Sequence, residues 1–390
     1  MDIEENAPNL TEMDWNYYTE TPGIDGEIKE QVNDFIVKEL ASHETGEGDH
    51  LIVKLRKQNM STMEAVDKLS SMLHISRDRV GYAGQKDKRA VTEQYISIKG
   101  VEPEDVRGIY TDEFDLEVVG HGNRIGVGNL SANRFEITIR DLKLPIEDLR
   151  DRSLKIVDQL DGKFPNYFGR QRFGDPRPIT HQVGRHILKG NYEEAVWTYI
   201  AKPYDEEYKS IRKTREELWE TREVEGAAEK FPKSRKYEKT LLYHLTKHPE
   251  DYQGAIKRLP EGLQSLFIHA YQSWIFNRVL SQLIEDDWYE EEYEIPLVGY
   301  KTDLKDERPE NLIEEVMEQE GVSQEDFRLQ DFPELRSEGS YRRAFADFRN
   351  FEILDIGEDS LNMAKNKATV KFDLPKGSYA TVLLREIRKD

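Results

Sequence analysis

The sequence contains no cysteine in 390 residues. That removes disulfides, thiolate nucleophiles, iron–sulfur clusters and cysteine-bound zinc at one stroke. It also lacks any apolar run near the roughly 20 residues that a membrane-spanning helix needs. The opening MDIEENAPNL has neither the basic start nor the apolar stretch of a secretory signal, so the expectation is a cytoplasmic protein without a membrane partner. Histidine is scarce: His181 and His186 stand five apart in HQVGRH and miss the helical HExxH spacing. They read as surface or structural residues, and no metal site is expected. Internal repeats and low-complexity tracts are absent as well.

What is present fits a water-soluble globular chain, with 37% hydrophobic and 34% charged residues. Its length suggests two or three domains at roughly one per 150 residues. A net charge of −21 argues at first against a nucleic-acid partner. The distribution changes that reading, because residues 1 to 50 hold 2 basic and 14 acidic side chains, and residues 281 to 340 hold 5 and 20. The remainder of the chain is left with a net charge of +6. Within it, Lys163, Arg170, Arg172, Arg177, Arg185 and Lys189 face only Asp161 and Asp175 over residues 161 to 190. Counterion release depends on local phosphate contacts, so a basic patch on an acidic protein can still bind RNA.

Along the chain, LIVKLRK from residue 51 reads as a strand and STMEAVDKLSSMLHI as a helix. The helix opens with a capping box, Ser61 with Glu64, and Val66, Leu69, Met72 and Leu73 share one face. GYAGQKDKRA follows as a glycine-punctuated turn, and EQYISIK restores strand character. In NRFEITIR, Phe135, Ile137 and Ile139 alternate with Arg134, Glu136, Thr138 and Arg140, which predicts a half-buried antiparallel strand. Charged helical patterns run from about residue 170 to 260. LQSLFIHAYQSWIFNRVLSQLI then predicts a buried helix with Trp274 and Phe276 in the core. The chain ends on FEILDI, ATVKFDL and SYATVLLREI, all read as strands. Strands at both ends with helices between predict a discontinuous β-rich domain interrupted by an insertion.

Asp87 lies among Lys86, Lys88 and Arg89, in a turn that Gly81 and Gly84 make flexible. Neighbouring cations favour an ionised, nucleophile-capable carboxylate; the competing reading is a solvated charged turn. Asn133 and Phe135 project to one strand face, where an amide to read a pyrimidine edge and a ring to stack on it would suit an extruded base. Core packing is the alternative for Phe135. FPNYFGRQRFG interleaves Phe164, Tyr167, Phe168 and Phe173 with Arg170 and Arg172, either to contact unpaired RNA or to build a packed glycine corner. In IKEQVNDFIVKEL, Lys29, Asp34 and Glu39 read as a surface charge cluster, with Phe35 and Val37 on one strand face. GEGDH at 46 to 50 reads as a turn.

Taken together and in order, IKEQVNDFIVKE, GEGDHLIVKLRK, GYAGQKDKRAVTEQ, NRF, PNYFGRQRFG, AYQSWIFN and LPKGSYATVLLREI resemble the TruD family of pseudouridine synthases across residues 29 to 388. The resemblance implies an α+β pseudouridine-synthase fold, a mixed and largely antiparallel sheet with flanking helices, carrying an inserted α/β TRUD domain. The expected boundaries are 1–168 with 341–390 for the catalytic domain and 169–340 for the insertion. It further implies isomerisation of a tRNA uridine, usually position 13, with Asp87 as catalytic carboxylate, Lys29 as active-site lysine, and Asn133 and Phe135 in the base site. Lys86, Lys88, Arg89, Tyr167, Phe168, Arg170 and Arg172 are the candidate RNA contacts. No cofactor is expected, because the isomerisation involves no redox change or hydrolysis, and the expected partner of the monomer is tRNA. Two other functions remain open from the residues: an RNA-binding protein or chaperone without catalysis, and a glycosidase pairing Asp87 with Glu39.

Overall fold

The computed structural model describes residues 14–41, 45–288, 292–305 and 307–389. Two compact units emerge: residues 18–165 with 346–390, and residues 166–345 with the described residues up to Tyr17. The chain thus leaves the first unit and returns to it. The helix expected to be buried does not span a membrane, and no described helix is long and apolar enough to do so.

In chain order the strands are β1 (Glu27–Ile28), β2 (Phe35–Leu40), β3 (His50–Gln58), β4 (Val80–Tyr82), β5 (Val91–Lys99), β6 (Phe114–Gly122), β7 (Ala132–Leu142), β8 (Lys163–Pro165), β9 (Glu294–Leu297), β10 (Ser340–Arg343), β11 (Phe345–Asp347), β12 (Arg349–Glu358) and β13 (Asn366–Pro375). The first unit is built on a sheet ordered β12-β13-β7-β2-β5-β3-β6, with β1 added to β7 and β4 to β5. Most pairings are antiparallel, but β2 and β5 run parallel, with Ile36 opposite Val91. That single parallel pair positions the site. It brings the segments that precede β2 and β5, residues 29–34 and 83–90, to the same edge of the two strands.

Alternation fixes the faces. Phe135, Ile137 and Ile139 of β7 are buried, as their spacing predicts, and Phe135 lies opposite Val37 on one side and Phe372 on the other. Leu51, Val53 and Leu55 of β3 pack with Val66 and Leu69 of the helix Thr62–Met72, while Met72 points outward at 41% exposure. The capping box forms as read: Ser61 Oγ accepts from the Glu64 amide at 3.1 Å, and Glu64 Oε2 accepts from the Ser61 amide at 2.8 Å. SYATVLLREI departs from the expected strand and is a helix over Ala380–Arg388. Its β-branched residues gave the strand signal, but Ala380, Leu383, Leu384 and Ile387 are spaced i, i+3, i+4, i+7 and are all buried, so packing overrides propensity.

The second unit is mainly helical. Its longest helix, Glu261–Glu285, buries Trp274 at 2% and Phe276 at 0% exposure, as expected for a core helix. The helix Thr180–Leu188 lies directly against it through Gly184, where any Cβ would collide with the Phe267 carbonyl oxygen. Within residues 203 to 260, Arg215 is fully buried and donates to Glu207 Oε1 at 3.0 Å, Glu238 Oε1 at 2.9 Å and the Ile200 carbonyl at 2.6 Å. This charged centre is satisfied on all sides of the guanidinium, which is the condition under which a buried ion cluster is tolerated.

Candidate active site

Two segments with unusual backbone restraint meet at Asp87. Lys29 adopts φ of +61°, a left-handed conformation that costs a non-glycine residue roughly 1–2 kcal/mol. Its ammonium donates to Asp87 Oδ2 at 2.7 Å and stands 4.1 Å from the centroid of the Phe35 ring. The Asp87 side chain is 32% exposed and that of Lys29 18%, so the pair is reachable but largely shielded. A solvated charged turn does not describe it.

The Asp87 loop is held rather than flexible. Thr62 Oγ1 accepts from the Lys86 amide at 2.9 Å and donates to Gln94 Oε1 at 2.8 Å, while Gln94 Nε2 donates to the Gly84 carbonyl at 3.2 Å. Lys57 Nζ donates to the Asp87 carbonyl at 3.1 Å and to the Met60 carbonyl at 2.6 Å. Arg89 Nη2 donates to the Glu30 carbonyl at 3.0 Å, tying the loop to the segment that carries Lys29. Gly81 belongs to β4 and is required because the Ile125 carbonyl oxygen occupies the space of a Cβ.

The surface cluster expected at Lys29, Asp34 and Glu39 is instead interior, with Asp34 at 1% and Glu39 at 4% exposure. Arg140 fastens this segment, donating to Asp34 Oδ1 at 2.7 Å and to Asp359 Oδ1 at 2.7 Å. Asn362 Nδ2 bridges Asp359 Oδ2 and Glu30 Oε2, each at 2.9 Å. Burial raises the Asp359 carboxyl, but the Leu361 amide, Asn362, the Asp141 amide and Arg140 together hold it below the ordinary carboxylate range. A lowered folded pKa contributes stability above the unfolded value and loses it as pH falls through the folded value. The urea midpoint is therefore expected to drop below about pH 4, and Asp359→Asn to lower the midpoint at pH 7 while shrinking its further loss at pH 3.

Glu39 cannot serve as a second reacting carboxylate beside Asp87. Its side chain is 0% exposed and forms an ion pair with Lys86 Nζ at 3.0 Å, which removes the glycosidase reading. Lys86 itself, expected at the RNA surface, is 7% exposed and also donates to Asn133 Oδ1 at 2.7 Å. Phe135 is 8% exposed, stacked on Phe372 at 5.6 Å between centroids and met edge-on by Phe35 at 6.1 Å. Phe35 thereby links it to Lys29. Lys88 and Arg89 stay at the surface, Lys88 in an exposed pair with Glu64 at 2.7 Å.

The remaining expected RNA contacts lie in the other unit. Tyr167 is 1% exposed, stacks on Trp15 at 6.2 Å and donates through its hydroxyl to the Asn16 carbonyl at 3.1 Å. Phe168 is 8% exposed, against Phe276 and beneath the Arg172 and Arg342 guanidiniums. Their ring and guanidinium neighbours give Tyr167 and Phe168 the packed-corner role rather than that of RNA contacts. Arg170 is exposed, near Glu206 at 3.7 Å. Arg172 lines a cavity of about 360 Å³ with His269, Gln272, Ser273 and Arg336.

Lys57, which holds the Asp87 backbone, is the site residue that sequence reasoning missed. The available signal was its place on β3, where it continues the row of Leu51, Val53 and Leu55 and is 1% exposed. Burial holds its amine down to about 8. Lys57→Met is expected to release the Asp87 backbone and lower single-turnover activity roughly 10- to 100-fold, with little change in tRNA affinity by filter binding.

The site is thus a partly shielded carboxylate paired with a lysine, beside an aromatic cluster on a mixed sheet. A family model described as "tRNA pseudouridine synthase D (TruD)" matches residues 12–294 and 290–387. A Methanosarcina mazei protein named "Probable tRNA pseudouridine synthase D" is 34% identical over 96% of this chain and 95% of its own length. One of the same name from Archaeoglobus fulgidus is 36% identical over 96% of this chain and 97% of its own. A crystal structure from Methanosarcina mazei, described as "Putative tRNA pseudouridine synthase D (TruD)", superposes with a TM-score of 0.82 at 34% identity, covering 96% of each chain. The chain belongs to the TruD family of tRNA pseudouridine synthases, isomerases that convert uridine to pseudouridine.

Proposed function

We propose that Asp87 is the carboxylate that isomerises a uridine in tRNA, with the D-arm uridine at position 13 as its target. The contact that carries this reading is the 2.7 Å pairing of Asp87 Oδ2 with Lys29 Nζ, in a loop anchored through its own backbone. Lys29 orients one carboxylate oxygen and leaves the other to act. The reaction breaks the bond from N1 to C1′, turns the uracil and joins C5 to C1′. Asp87 acts either by attacking C1′ or by removing the C2′ proton to form a glycal.

Phe135 is the ring that stacks on the detached uracil, which requires this ring, 8% exposed between Phe35 and Phe372, to be uncovered when the base enters, and Asn133 hydrogen-bonds to the base. Drawing the nucleotide out of its stack costs a few kcal/mol, offset by stacking and by contacts from Lys88 and Arg89. The enzyme works as a cytoplasmic monomer without metal or cofactor, since no electron changes hands and no water is added.

Joining C5 to C1′ expels the C5 hydrogen. Transfer RNA tritiated at C5 of uridine is therefore expected to release tritium to water on incubation with the protein. Binding without tritium release would favour an RNA-binding protein that lacks catalysis.

A further inference from the structure

The contact between Lys86 and Asn133 settles more than the placement of two side chains. An ammonium has three donors and no acceptor, so the atom of the Asn133 carboxamide that faces Lys86 must be the oxygen. The 2.7 Å contact is from Nζ to Oδ1. Amide orientations are ordinarily ambiguous between oxygen and nitrogen, but here turning the amide would set its NH₂ against a cation. Lys86 cannot swing away without leaving Glu39, whose carboxylate is 0% exposed and 3.0 Å from Nζ. Breaking a buried pair strands an uncompensated charge.

The carboxamide nitrogen has no protein partner among the described residues. Asn133 thus presents a fixed donor beside the Asp87 loop, because Lys86 immediately precedes Asp87.

We infer that Lys86 is a positioning residue that locks Asn133 as a donor-only reader of one uracil ring carbonyl. This rests on the active-site reading above and deepens it. A locked donor complements a carbonyl and opposes another donor, so if it faces C4 it also rejects the amine of cytosine. The Glu39–Lys86–Asn133 chain would then act on base recognition, whereas Lys29 acts on the carboxylate.

The test uses the full chain and tRNA carrying uridine, 2-thiouridine or 4-thiouridine at the target position, followed by single-turnover rates. Sulfur accepts hydrogen bonds more weakly than oxygen. Wild-type protein is expected to be slowed roughly tenfold by one of the two sulfur substitutions, the scale of one lost hydrogen bond. Asn133→Ala, which keeps the Lys86–Glu39 pair, is expected to be slower on uridine yet to show oxygen and sulfur substrates within about twofold. The double variant Lys86→Met with Glu39→Gln avoids a stranded charge, and it should narrow the sulfur penalty in the same way. A merely structural Lys86 would lower all rates together.

An unchanged sulfur penalty in Asn133→Ala, or no penalty for either analogue in the wild type, would overturn the inference. So would a penalty lost in Asn133→Ala but intact in the double variant, since Lys86 would then not set the amide. Failure of the active-site reading looks different: Asp87→Asn would turn over ordinary uridine.

Discussion

Asp87→Asn is expected to cut pseudouridine formation by a factor on the order of 10⁴ or more, while affinity for tRNA changes little. The substitution keeps the shape of the side chain and the backbone contact from Lys57, which goes to the Asp87 carbonyl. It removes the negative charge. An amide can neither attack C1′ nor accept a proton from C2′, so both routes fail together. Lys29 then loses its anionic partner at 2.7 Å, but it keeps its place over the Phe35 ring, which limits collateral disorder. The check pairs single-turnover assay with filter binding on the same preparations. Loss of binding in parallel with activity would mean that the variant had damaged the fold.

Lys29→Met is expected to reduce the single-turnover rate by roughly 10²- to 10³-fold, within the range seen for groups that set the geometry of a reacting acid or base. Methionine fills similar volume against Phe35 but supplies no proton to Asp87 Oδ2. The carboxylate would then rotate away from its reacting position. Lys29→Arg is a sharper comparison: charge is retained, but the planar guanidinium does not reproduce a single donor at 2.7 Å over an aromatic ring. It should recover part of the rate. Equal losses in both variants would indicate that geometry, not charge alone, governs the pair, whereas wild-type rates in Lys29→Met would remove Lys29 from the mechanism.

Much of this was legible from residue patterns, and what was not has identifiable causes. Period-two alternation gave β7 with its buried Phe135, Ile137 and Ile139, and the capping box at Ser61 gave the start of a helix. Local patterns could not say which strands pair. The parallel match of β2 with β5, which brings Lys29 to Asp87, joins segments 58 residues apart. For the same reason a buried charge cluster looks solvated in sequence. Asp34 and Glu39 look exposed in sequence because their partners, Arg140 and Lys86, lie 106 and 47 positions further on. The closing helix was hidden by its β-branched residues, although its i, i+3, i+4, i+7 spacing was present. Lys57 carried a readable signal in the polar end of an apolar row, and Tyr167 and Phe168 show the converse, aromatic residues beside arginines that serve packing.

The most direct measurement is site-resolved mapping of pseudouridine in unmodified tRNA incubated with wild-type protein and, in parallel, with Asp87→Ala. Modification at a single D-arm uridine, position 13, with wild type and none with the variant is the predicted result. Pseudouridine formed by Asp87→Ala, or none formed by wild-type protein that demonstrably binds the tRNA, would contradict it.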